Sequence, residues 1–405
     1  MLLVLDPDQE LFRETTVKLL EELAPVAEVR RLRDDPAGFD RDYWRRGAEL
    51  GWTSLLVSEA GGGGSISGHA LVDLGLVAYE FGRHAAPGPL GVTNVVAATL
   101  DEIGGDQAHD VVTAVLAGES VVTWCLGEAA PHTALGTILF DVRVEGDEVV
   151  LNGVKRPVES ADGATHLLVT GRTGPGLTQV LVPAGTTGVS VAPMHSIDTT
   201  RRFSVVSFEN VRLPTAAVVG EVGLAAPQVE RQLERAVAIS NAESVGTMQT
   251  AFDMTLEWAF DRYSFGRPLA SYQELKHRFA DMKSWLEASH AISDAATEAA
   301  TQGSPKAAEL LSAAKAFIGD FGGELMQDCV QIHGGIGLTF DHDLHLYLRR
   351  HTVNRALYGT PADHRQRLAD VVESDVAKRD VAKRDVAKID AVKSDVADRQ
   401  EENAS

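Results

Sequence analysis

The hydrophobic period of this chain changes twice, and nothing else in the sequence constrains the fold as strongly. Residues 1 to about 118 carry apolar positions at helical spacing. Leu11, Val17, Leu20 and Leu23 mark an early helix, and a second pattern runs from His69 to Phe81. From about 119 to 225 the period falls to two. Val142 and Val144 precede Gly146-Asp147, and the run 149–151 precedes Asn152-Gly153. Asn-Gly between apolar runs predicts a hairpin, because both central positions need positive φ. Further strand candidates lie at 167–170, 179–182 and 204–208. From about 226 the helical period returns, with Val245, Met248, Phe252, Leu256 and Ala259 on one face and Leu275, Phe279, Met282 and Leu286 on another. Ser304-Pro305 predicts a further helix with proline at its first position, carrying Leu310, Ala314, Phe317 and Phe321. The expected architecture is α+β: a helical domain over 1–118, an antiparallel β domain over 119–225 and a four-helix bundle over 226–372. A charged tail occupies 373–405.

That tail is a five-residue repeat. Asp375-Val-Ala-Lys-Arg recurs from Asp380, with weaker copies from Asp385, Asp390 and Asp395. Five residues overshoot a helical turn by roughly 140°, so the valines spiral round the axis and form no stripe. A solvated helix held by Asp–Lys and Asp–Arg pairs and a flexible charged segment are both compatible with it. No catalytic role is expected there.

Composition excludes several classes of function. The formal net charge is −21, which disfavours nucleic acid and anionic membrane. Cys125 and Cys329 are the only cysteines, far apart, with no disulfide framework and no zinc motif, which suits a cytoplasmic location. The start, Met1-Leu-Leu-Val-Leu-Asp6, has no basic n-region, and no stretch approaches the ~20 apolar residues that span a bilayer. Gly61-Gly-Gly-Gly64 reads as a loop, since it lacks the spacing of a dinucleotide fingerprint. His342 and His345, with Asp341 and Asp343, have no visible third ligand, so no metal is expected.

Two segments near the C-terminus carry the chemistry. One reads Arg262-Tyr-Ser-Phe-Gly266-Arg-Pro-Leu269, followed by Gln273 and Lys276. The other reads Gln331-Ile-His-Gly-Gly-Ile-Gly337. A diphosphate wants a fixed guanidinium and backbone N–H donors, and close backbone approach wants glycine. The plainer readings are that Arg262 sits at a helix C-terminus, where a cation is favourable, and that Gly334-Gly335 ends a helix.

Taken with the helix–β–helix order, these segments resemble the flavin-binding signatures of the acyl-CoA dehydrogenase family. The resemblance covers about residues 5 to 370. Leu55-Leu-Val-Ser-Glu59 with its glycines resembles a loop of that family's first domain, and Phe208-Glu-Asn-Val-Arg-Leu-Pro214 with Gly220 resembles the exit from its β domain. In the family FAD lies between subunits. The β domain of one cradles the ring, and the bundle of its partner holds the pyrophosphate and adenosine. The resemblance thus implies FAD as cofactor, with Arg262, Ser264, Phe265 and Gln273 on the pyrophosphate and adenine side and Gln331, His333, Gly334 and Gly335 approaching the same dinucleotide. It implies an acyl-CoA substrate and an electron-transfer acceptor.

Elsewhere the sequence departs from the family. The ring cradle of a Thr-Glu-Pro segment and a Gly-Ser-Asp is replaced by Trp124-Cys-Leu-Gly-Glu-Ala-Ala-Pro-His132. A second cradle element becomes Lys155-Arg-Pro-Val-Glu159, with Pro157 and Glu159 at the cradle positions. An anionic Glu159 beside the flavin would disfavour the reduced anion. The catalytic glutamate is replaced by Tyr358 in Leu357-Tyr-Gly-Thr360, and a tyrosine that titrates at about 10 is a poor base at neutral pH. The family's alternative base position falls on Ala236. Glu234 is a weak substitute, two residues and roughly 200° out of register, and Glu243 lies on the wrong turn; both read as surface or interface charges. Asp198-Thr-Thr-Arg-Arg202 meets an acyl-CoA phosphate or forms the turn before Phe203.

The chain therefore resembles the base-lacking subunit of actinobacterial heteromeric steroid side-chain acyl-CoA dehydrogenases. That resemblance implies a second, unlike dehydrogenase subunit that supplies the base. A complete homomeric flavoenzyme and a non-catalytic scaffold are the alternatives.

Overall fold

The structure is a computed structural model and describes residues 4–35, 38–129 and 137–373. The tail repeat and the part of the Trp124–His132 stretch beyond residue 129 lie outside the described residues.

The N-terminal layer is helical: α1 (Pro7–Leu23), α2 (Val26–Arg31), α3 (Arg41–Leu50), α4 (Ala70–His84), α5 (Leu90–Ile103) and α6 (Asp106–Leu116). Asp6 starts α1 by accepting from the Gln9 N–H, and the Gln9 side chain reaches back to the Asp6 N–H. This reciprocal cap satisfies two otherwise orphaned donors. α4 is buried nearly all round, so it lies inside the molecule.

The middle layer is a sheet of β1 (Val122–Cys125), β2 (Asp141–Glu145), β3 (Glu148–Glu159), β4 (His166–Thr173), β5 (Gly176–Pro183), β6 (Val189–Met194), β7 (Phe203–Pro214) and β8 (Val218–Val219). Its order is β6-β7-β3-β2-β4-β5-β8, with β1 added beside β4. The expected antiparallel domain needs correcting in two places. β1 pairs parallel with β4, and one β2–β4 bridge is parallel as well. β1 arrives from the helical domain, so a hairpin does not dictate its direction. Asn152-Gly153 is not a hairpin turn. The turn is at Gly146, φ +65°, and Asn152 and Gly153 lie inside β3 at a shift in its register with β7. There the Asn152 side chain accepts from the Asn210 N–H, and a Cβ on Gly153 would lie 2.8 Å from the Phe140 ring. The positive φ that signals a turn here serves a bulge.

The C-terminal layer is α7 (Ala226–Asp261), α8 (Gln273–Thr301), α9 (Ala307–His333) and α10 (Leu344–Ala356), followed by α11 over residues 361–373. α9 begins two residues after Pro305, which therefore precedes the helix and does not occupy its first position. α7 crosses α4 at touching distance. A Cβ on Gly82 would lie 2.0 Å from the Glu243 carbonyl oxygen, and one on Gly246 would lie 2.0 Å from that of Tyr79. Only glycine on each helix lets the two backbones meet. Gly246→Ala should therefore destabilise the fold by about 1–3 kcal/mol, the usual cost of overpacking. Urea denaturation measures this, and an unchanged midpoint would contradict the packing described.

Candidate active site

A cavity of about 500 Å3 opens where the three layers meet. β1 gives Trp124, β3 gives Pro157 and Glu159, β7 gives Phe203, α7 gives Leu233, and α10 with its following loop gives Val353, Leu357 and Tyr358. The walls are largely apolar.

Behind this cavity lies a buried ion network that joins all three layers. Arg201 donates to both oxygens of Glu159 at 2.7 Å and to the Asn354 carboxamide oxygen at 2.6 Å, and it reaches Glu243 at 3.3 Å. Arg350 donates to Asp198 at 2.7 Å, to the Ala86 carbonyl at 3.0 Å, to Thr200 and to Glu243. Glu159 is raised by burial, and Arg201, donating to both its oxygens, keeps it an acceptor. Burial lowers Arg201, but Glu159, Glu243 and Asp198 outweigh it and raise its pKa. The lone anion expected at Glu159 is thus a bidentate pair. Glu243, expected at a surface or interface, is buried and accepts from Arg201, Arg350 and Asn354. Asp198 to Arg202 forms the turn reading, not a phosphate site: Asp198 accepts from Thr200, and Arg202 is spent on the Leu32, Arg33, Asp35 and Thr199 carbonyls.

Each carboxylate that lines the cavity is already engaged. Glu128 accepts from Lys155 at 2.8 Å and from the N–H groups of Leu139 and Phe140. Burial pushes its carboxyl up, and Lys155 and these donors more than reverse that. Asp363 accepts from the Thr360 N–H and hydroxyl at the start of α11. Glu234 is half-buried, raised by burial and by Glu230, and is not among the lining residues. Tyr358 sits at φ +59°, and burial pushes its hydroxyl further above the ordinary range, with Glu159 adding to the rise.

The bundle motifs gather elsewhere. Because α7, α8 and α9 alternate in direction, the end of α7, the start of α8 and the end of α9 share one end of the bundle. Arg262 caps α7, with its guanidinium 5.9 Å from the Trp258 ring centroid, and Trp258 stacks on His333 at 5.2 Å. Ser264 pairs with Arg267 in a two-residue ladder whose tip, Phe265, is 97% exposed. Gln273 opens α8, and Gln331 is exposed on the last turn of α9. His333 is buried, its Nδ1 on the Cys329 carbonyl at 2.8 Å and its Nε2 without a partner. Gly334 ends α9 at φ +68°, and a Cβ on Gly334 or Gly335 would meet nothing within 4 Å. His342 turns toward Trp258 and His333, whereas His345 packs on Phe340, so the two histidines do not converge.

The "Acyl-CoA dehydrogenase, N-terminal domain" profile matches residues 6–119, and the "Acyl-CoA dehydrogenase, C-terminal domain" profile matches residues 223–373. The chain belongs to the acyl-CoA dehydrogenase family. It is 29% identical to acyl-CoA dehydrogenase IpdE2 of Mycolicibacterium smegmatis over 363 residues, 89% of this chain and 97% of that one. A single-substitution variant of the Tcur3481-Tcur3483 steroid ACAD superposes with a TM-score of 0.82 at 26% identity, covering 91% of this chain and 98% of the other. The ChsE4-ChsE5 complex from Mycobacterium tuberculosis has the same fold, with a TM-score of 0.83 at 20% identity over 91% and 98% of the two chains. The family consists of FAD-dependent oxidoreductases that act on acyl-CoA. No helix among the described residues is long and apolar enough to cross a membrane.

The open backbone at Gly334-Gly335, the exposed Gln331 and the orphaned His333 Nε2 fit the family's dinucleotide. The cavity side, with Pro157 and a paired Glu159, offers a weaker cradle for its ring.

Two outcomes follow from this geometry. Tyr358→Phe should keep most turnover in the assembled enzyme, because a hydroxyl pushed upward does not serve as resting base. A loss of several orders of magnitude with flavin still bound would refute this. The second concerns Lys315, fully buried, which donates to the Ser240 hydroxyl and the Asn354 carbonyl. Burial, aided by Arg201, lowers its pKa from 10.5 to about 7. Between those values the unfolded chain holds a proton that the folded chain does not, so its contribution makes stability rise with pH. The difference in urea midpoint between the wild type and Lys315→Met should therefore grow from pH 7 to pH 10. A pH-independent difference would count against the shift.

Proposed function

We propose that this chain is one half of a heteromeric acyl-CoA dehydrogenase. Its bundle end supplies the trans half of a shared FAD site, and an unlike subunit supplies the ring cradle and the base. One observation carries the reading. Leu233, in the cavity wall, and Arg262, in the motif cluster, lie on the same helix, about 29 residues apart. At ~1.5 Å per residue that is about 43 Å, too far for one dinucleotide to engage both. The two halves of a flavin site in this chain therefore belong to different flavins and require a second subunit.

Three further features favour an unlike partner. The cavity's carboxylates are all engaged, so none is free to take an α-proton. Pro157 and Glu159 stand at the ring cradle. Phe260, Tyr263, Phe265 and Leu338 leave large apolar surface exposed at the motif end, as a docking face would. FAD supplies hydride acceptance from the acyl β-carbon. Arg262 neutralises diphosphate charge, the Gly334-Gly335 backbone lets the dinucleotide approach, and Trp258 with His333 gives that end a rigid wall. The relatives' names, a steroid ACAD and a two-chain ChsE4-ChsE5 complex, support a bulky acyl-CoA and an unlike pair.

Co-expression with the product of the adjacent gene, followed by purification and a flavin spectrum, is the test. One FAD per unlike pair is expected. Arg262→Ala should weaken flavin binding by about one to two decades, the value of a charge-assisted contact of roughly 1.5–3 kcal/mol. If the chain alone binds one FAD per subunit and oxidises an acyl-CoA, it is a complete homomeric enzyme. A pair without flavin absorbance would make it a scaffold.

A further inference from the structure

One FAD per unlike pair leaves this chain's own cavity without a flavin, yet about 500 Å3 of space persists there. That volume falls within the range of pockets that enclose a drug-sized molecule. Trp124, Leu126, Ile138, Phe203, Leu233 and Val353 give it apolar walls. Its charge pattern is one-sided. Among the described residues no lysine or arginine lines it, and the ionisable acids that do are Glu128, Glu159 and Asp363. Lys155 and Arg201 reach two of these from behind the wall, and Thr360 holds the third. Apart from the exposed His195, no described wall group offers a cation to a phosphate or a carboxylate, and Lys155 and Arg201 are already spent on the wall acids, so an anion entering would lose water without gaining a counter-charge. His195 and Ser196 leave polar groups along the lining for a hydroxyl or a carbonyl.

We infer that this cavity is an accessory binding site for a neutral, lipid-like alcohol or ketone, separate from the acyl-CoA oxidised at the shared flavin site. The inference rests on the unlike-pair reading, because a homomeric enzyme would need the same space for its own flavin ring. No covalent step is involved. The ligand enters by its apolar body, and its single polar group stays among the polar lining residues.

The full-length chain, titrated with 1-pyrenemethanol and followed by pyrene emission, tests this directly, with 1-pyrenecarboxylate as the anionic counterpart of similar size. Saturable binding of the alcohol is expected, with the carboxylate weaker by roughly tenfold or more. Val353→Trp fills the wall and should weaken alcohol binding by a similar factor. Thr352→Trp, on the exposed side of α10 at the same cavity, gives the same reading if the first variant does not fold. Lumiflavin, a probe of ring binding, should not displace the alcohol. Absence of saturable binding, or equal affinity for alcohol and carboxylate, overturns the accessory site and leaves the shared-flavin reading standing. Displacement by lumiflavin at comparable concentration makes the cavity a ring cradle and overturns both.

Discussion

Arg350 and Arg201 hold this molecule together. Two guanidiniums, the carboxylates of Asp198, Glu159 and Glu243, and the carboxamide of Asn354 form one buried network, with side chains drawn from β3, from the loop between β6 and β7, from α7 and from α10. Through the Ala86 carbonyl, Arg350 also reaches the end of α4. Desolvating so many charges is costly, and such a network is tolerable only when every member is paired. Here the pairing is dense enough that the three layers cannot shift against one another without stranding a charge. The cavity above the network owes its shape to that rigidity, because Glu159 and Tyr358 both border it.

The two ends of the bundle differ in character. At the motif end the backbone is open at Gly334-Gly335 and large apolar side chains face solvent. At the cavity end the lining carboxylates are each paired or hydrogen-bonded and the walls are largely apolar. An exposed end with open backbone suits a surface completed by another subunit, and a satisfied, apolar-walled end suits a binding space that does no proton chemistry of its own.

Much of the fold was legible in the sequence. The two changes of hydrophobic period locate the layers, because burial on one face enforces period 3.6 in helices and period two in strands. Local signals failed where tertiary context chose between two uses of one conformation. Of Asn152-Gly153 only Gly153 takes positive φ, at +135°, and it serves a bulge beside Phe140, while the direction of β1 has no local code. Toward the candidate flavin site, Arg262 to Gln273 and Gln331 to Gly335 are legible through their resemblance to the family's signatures. The ion network is not, since its side chains run from Glu159 to Asn354, about 195 residues apart in the chain. One signal was present and missed. Glu243 follows Ala236-Val-Ala-Ile-Ser-Asn-Ala, a stretch small or apolar on every side. A helix apolar all round is buried, and an acid inside it must have a partner.

The length of α7 has an evolutionary consequence. One continuous helix carries the cavity wall near its start and the cap residue Arg262 at its end, so in the proposed pairing the two would serve separate flavins. Substitutions that spoil one end therefore leave the other intact. In an assembly of identical chains every such loss would recur at each interface. After gene duplication it would not: one copy can let its cavity drift while still completing its sister's. In the proposed unlike pair, the helix would insulate one kind of selection from another and let one copy lose at one end what it keeps at the other.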